Sequence, residues 1–153
     1  MPRLTLWHGS REAIARIDPG RTVDGGFHAG TEAQARMRNA RVLHEIEVDV
    51  RNVRRSRDRG GDWKGRIAAA RAAGFDAIVY LNRYEGMSSE VIERLAAAGD
   101  LARLDDLTDA AFRKLVPEAE DSWILLDPEA VRIVRIIDRD AAEPAPEEDR
   151  PAP

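Results

Sequence analysis

An α+β domain is the fold class that this sequence predicts. Strand-like stretches come first, helical patterns fill the middle, and two more strand-like stretches close the chain. Two of the strands carry most of the signal. Residues 42–50 alternate, with Val42, His44, Ile46, Val48 and Val50 on one side and Glu45, Glu47 and Asp49 on the other. Residues 75–81 form a short apolar run, β-branched at Ile78 and Val79 and bounded by turn formers. With 153 residues and 43% hydrophobic content, one domain with a real core is expected over residues 1–139.

In chain order, residues 3–7 read as a strand that runs into His8, Gly9 and Ser10. A histidine at a strand exit, followed by the residue that lets a ligand approach the backbone, is an economical way to start a site. Residues 11–17 read as a short helix or turn. Asp18-Pro19-Gly20 and Asp24-Gly25-Gly26 then break the chain, which makes 21–26 a mobile loop. Thr31 is an N-cap for a helix over 32–39. His44 falls among the inward residues of its strand and reads as a core histidine bonded to a backbone carbonyl.

Five arginines lie between 51 and 59 with only Asp58 opposing them. A phosphate-attracting cluster and a solvated connection are both open readings. No aromatics interleave with these arginines, which speaks against a base-stacking nucleic-acid surface. Residues 63–73 read as a helix ended by Gly74, and 82–89 as a loop after the apolar strand. A serine-capped helix over 89–95 and one or two more over 100–115 follow. Strands over 123–127 and 131–137 are separated by Asp127-Pro128-Glu129.

Composition narrows the function classes. There is no cysteine, so disulfides, thiol catalysis and cysteine-ligated zinc are excluded. His8, His28 and His44 lack the spacing of a metal site, and no phosphate-loop or Rossmann glycine pattern occurs. No apolar run reaches eighteen residues and Met1-Pro2-Arg3 leads straight into a strand, so a cytoplasmic protein is expected, with no membrane partner. Residues 140–153 hold five acids, one arginine and four of the eight prolines. That tail therefore accounts for the whole net charge of -4 and reads as a disordered acidic end.

Four stretches stand in a telling order: LTLWHGS at 4–10, GGFHAGT at 25–31, GFDAIVYLNRYEG at 74–86 and DSWILLDP at 121–128. In this order they resemble ADP-ribosyltransferases of the diphtheria-toxin and poly(ADP-ribose) polymerase class. They look most like the small ADP-ribosyltransferase-like domains of phage and mobile-element polyvalent proteins. The resemblance covers 4–137 apart from a helical insertion near 88–120. It implies a split β-sandwich with a dinucleotide cleft between two sheets, and NAD consumed as substrate with no metal.

The resemblance also implies roles. His8, counted with the catalytic residues, would bond the adenosine ribose, the backbone of Gly9 would pair with the nicotinamide amide, and Ser10 would lie beside them. Phe27, or His28 if the register slips by one, would take the place of the family's aromatic. Serine stands at position 122, where poly(ADP-ribose) polymerases carry the catalytic glutamate. The polyvalent-type domains instead have an Asn-x-x-Glu-Gly loop, which makes Glu85 the expected catalytic carboxylate, with Glu120, Asp121 and Ser122 in reserve. The implied activity is transfer of ADP-ribose to a protein or nucleic-acid acceptor, as in a toxin or phage effector held by an antitoxin or immunity protein. The alternative is a catalytically inactive nucleotide- or protein-binding module, or a plain interaction domain.

Overall fold

In the computed structural model, residues 3–14, 17, 25–37, 40–58, 62–83 and 87–139 are described. Glu85, most of the 21–26 loop and the acidic tail, each singled out in the sequence, lie outside them. The elements in order are β1 (Arg3–Ser10), β2 (Phe27–Ala29), α1 (Glu32–Met37), β3 (Val42–Asp49), β4 (Val53–Ser56) and α2 (Trp63–Ala72). They continue with β5 (Ala77–Leu81), α3 (Ser89–Ala97), α4 (Asp109–Leu115), β6 (Asp121–Leu125) and β7 (Val131–Asp138).

The strands form two sheets, ordered β1-β3-β7 and β2-β6-β5-β4. All neighbours are antiparallel except β4 and β5. Leu6, Ile46 and Val48 from the first sheet meet Phe27, Ala77 and Leu125 from the second in one core. The helices cover other faces. Ile67 and Ala70 of α2 pack on Ile78, Tyr80 and Ile124, and Ala35 of α1 packs on Trp7 and Leu43. Leu81 anchors a separate core of Val91, Leu95, Phe112 and Val116 beneath the helical segment. The described residues are therefore mixed α and β, with two sheets and several helices, compatible with the expected α+β class.

Local chemistry explains most boundaries. Gly74 has φ of 87°, and the Phe75 N–H closes on the Ala70 carbonyl, so α2 ends in a Schellman turn. Ser88 and Thr108 accept the backbone N–H groups of Val91 and Ala111 and cap α3 and α4. Of the short helix or turn expected over 11–17, residues 11–14 show a bend and no helix, the Ile14 N–H donating to His44 Nε2 at 2.8 Å rather than to a helical carbonyl. One expectation needs correction. Residues 53–56, read as a connection, form β4. It lies parallel to β5, with the Arg54 guanidinium over the Phe75 ring and Arg55 forked onto Asp121.

Candidate functional site

The site is built where the two sheets separate. The Trp7 N–H donates to the Gly30 carbonyl at 2.7 Å and the Gly30 N–H to the Trp7 carbonyl at 2.9 Å. This is an isolated bridge between β1 and the strand of the other sheet. Backbone groups repeat their direction every second residue along a strand. Gly9 therefore turns its N–H and C=O to the same side as Trp7, away from β3. Among the described residues, the pairing is not continued there. The His28 carbonyl, which the register would set opposite Gly9, instead accepts from His8 Nδ1 at 2.5 Å.

That contact fixes one ring nitrogen of His8. A carbonyl only accepts, so Nδ1 carries a proton there. The ring is further held by Phe27, centroid to centroid 4.3 Å. Behind it, His44 is fully buried and donates from Nδ1 to the His8 carbonyl at 3.2 Å, while its Nε2 accepts from Ile14. His44 is thus the carbonyl-bonded core histidine that its inward position predicts. Burial lowers its pKa and keeps it neutral, which the Ile14 bond requires.

A cleft opens beside this edge. It is lined by His8, Gly9, His28, Gly30, Gln34, Tyr80, Asn82 and Ser122, with Trp7, Ala29 and Ala35 completing it. Space requires glycine at position 9, where a Cβ would lie 2.6 Å from Ala40 Cβ; a Cβ on Gly30 would lie 1.9 Å from Gln34 Oε1 and would displace that amide.

Gln34 was not singled out in the sequence, although Thr31-x-x-Gln34 is a capping-box spacing. The Gln34 N–H donates to Thr31 Oγ1 at 3.1 Å and the Thr31 N–H donates to Gln34 Oε1 at 3.0 Å. The far side of the same amide, Nε2, donates to the Glu120 carbonyl at 3.2 Å. Backbone partners cannot exchange roles, so they define which end of the Gln34 amide is oxygen. Ser122 must then donate its proton to Gln34 Oε1, at 3.1 Å, and accept from Asn82 Nδ2 at 3.0 Å. A serine whose proton is committed to an amide oxygen has no base to activate it.

The remaining site residues divide clearly. Phe27 is buried in the inter-sheet core under His8, and His28 lines the cleft. Ser10 donates to the Glu12 carbonyl and is not among the cleft walls. Asp121 faces outward, forked by Arg55 at 2.7 and 3.0 Å and 3.5 Å from Arg113. Glu120 accepts from Thr31 Oγ1 at 3.2 Å and, with Asp121, lines a separate open groove along Thr5 and Trp123. Among the described residues no carboxylate lines the cleft. Glu85 lies three positions beyond the wall residue Asn82, outside the described residues.

The arginine-rich stretch is largely spent internally. Arg57 donates to the carbonyls of Asp105 and Leu107, both at 2.7 Å, in addition to the roles of Arg54 and Arg55 described above. Among the described residues no group of three or more His, Asp or Glu is placed to hold a metal ion. No described helix is long and apolar enough to cross a membrane. No protein-family model matches the chain, and no curated protein is significantly similar to it.

Proposed function

We propose that the cleft binds NAD and that the chain transfers ADP-ribose to a macromolecular acceptor, on an ADP-ribosyltransferase-like split sandwich. The observation that carries this reading is the pairing of Gly9 and His8. Gly9 offers an adjacent backbone N–H and C=O on a strand edge, the complement of a primary carboxamide such as that of nicotinamide. His8 beside it has Nδ1 committed to the His28 carbonyl, and its Nε2, as the acceptor of a neutral imidazole, would suit a ribose hydroxyl. Clamping the amide while the sugar is held leaves the glycosidic bond as the one free to react.

In that reaction the C1′–N bond breaks and both its electrons leave with nicotinamide. The ribosyl carbon becomes oxocarbenium-like, and an acceptor oxygen or nitrogen adds to it and loses its proton to solvent. A carboxylate near C1′ would stabilise the developing charge. Glu85 is the residue assigned to this role, from its place after Asn82. The acceptor would be a protein or nucleic acid, and an antitoxin or immunity protein would be the natural restraint on such an enzyme. Nicotinamide release from NAD, followed with and without candidate acceptors, tests the reading. Absence of release across acceptors would sink it.

A second reading is favoured by Ser122. It occupies the place of the family's glutamate and is held, uncharged, between two amides. A binding module that recognises a nucleotide without turning it over would look like this, and it predicts NAD binding with no release.

A further inference from the structure

We propose that Gln34 is a ligand-binding residue of the cleft, and that with Ser122 it reads a hydroxyl of the bound sugar. The inference rests on the NAD reading only for the identity of the ligand. A primary amide has two N–H donors and one oxygen that accepts twice. Gln34 Oε1 accepts from Thr31 and Ser122, and one Nε2 proton goes to the Glu120 carbonyl. The second Nε2 proton meets no acceptor among the described residues, and Gln34 is a cleft wall.

Ser122 is complementary. Its proton is used on Gln34 and one lone pair is used by Asn82. What it retains for a ligand is acceptor capacity. Gln34 and Ser122 therefore present a donor and an acceptor on neighbouring side chains, Ser122 Oγ lying 3.1 Å from Oε1 of the same Gln34 amide, which matches a hydroxyl that both accepts and donates. Neither group is charged, so this wall selects a neutral oxygen function rather than a phosphate. Orientation is fixed before binding, because Thr31 and Glu120 hold the amide through backbone groups. Preorganised donors of this kind lose little freedom on binding.

The test is calorimetric titration of the full chain with NAD, ADP-ribose and the singly deoxygenated analogues of ADP-ribose. Wild type is compared with Gln34→Glu, which keeps the oxygen for Thr31 and Ser122 but removes the donors, and with Ser122→Ala. Each variant should bind ADP-ribose about tenfold or more weakly, the scale of one hydrogen bond. One deoxy analogue should lose similar affinity in wild type and lose nothing further in the variants, the signature of a coupled pair. Wild-type affinity in both variants, or an equal penalty for every analogue, overturns the proposal even if NAD is bound and cleaved. Binding of ADP-ribose without NAD, with the same coupling, upholds the hydroxyl-reading pair and removes the NAD reading alone. Failure of every ribose-bearing probe to bind wild type overturns both.

Discussion

His44 donates from Nδ1 to the carbonyl of His8 at 3.2 Å, and it can do so only as a neutral ring because its Nε2 accepts from Ile14. Two pieces of chain near the cleft thus depend on one unprotonated core histidine. Its pKa is lowered by burial. The unfolded chain therefore takes up a proton near the ordinary value of about 6.5 while the folded chain resists it. Stability should be full above that pH and should fall as pH drops below it. Melting temperatures between pH 7 and 5 should show this slope, and His44→Gln should flatten it. An equally steep slope in the variant would assign the effect to other groups.

NAD should raise the melting temperature of the chain by mass action. His8→Ala should reduce that shift strongly. The variant also loses the bond to the His28 carbonyl and the Phe27 contact. Its unliganded melting temperature should therefore drop by a few degrees, at about 2–4 °C per kcal/mol for a chain of this size. An undiminished NAD shift in the variant would remove His8 from the site.

Glu85→Gln should leave NAD binding in place and lower nicotinamide release by about 10²-fold or more, the scale of a lost transition-state charge contact. Asp121→Asn should do little to turnover. Its ion pairs with Arg55 and Arg113 are largely exposed, and pairs of that kind contribute at most about 1 kcal/mol. Loss of release in Asp121→Asn with retention in Glu85→Gln would transfer the role to the start of β6.

Arg83 has only 2% of its side chain exposed and ties the helical segment to the end of β5. It donates to Asp109 at 2.8 Å and to the Leu104 carbonyl at 3.0 Å, and its guanidinium lies over Phe112. Asp109→Ala would leave that charge buried with one partner fewer, at a cost of about 1–3 kcal/mol given the partial exposure of Asp109. Hydrogen exchange should accelerate first in α3 and α4. Uniform acceleration across both sheets would show that the helical segment is not tied down through this arginine.

Periodicity carried much of the architecture because the elements concerned depend on local chemistry. The alternation at 42–50, the apolar run at 75–81, Gly74 after α2 and the hydroxyl caps of α3 and α4 each act within a few residues. His8 and Gly9 stood out in the same way, as a polar and a small residue at the end of an apolar strand, whereas His28, Asn82 and Ser122 entered only through the resemblance. Gln34 was within reach through its spacing from Thr31. β4 was not, because its Val-Arg-Arg-Ser sequence has little strand character of its own. It becomes a strand through the partner that β5 supplies and through Asp121 and Phe75, which engage its arginines.

By itself, then, the sequence determined most of the element order, the caps and the residue types from which a site can be made. The tertiary structure decided their roles. It turned the edge of Gly9 into the cleft, buried Phe27 beneath His8, forked Asp121 outward onto Arg55 and gave Ser122 the polarity of an acceptor. These outcomes depend on which groups from distant positions meet, since the direction of a hydrogen bond is set by the partner at its other end.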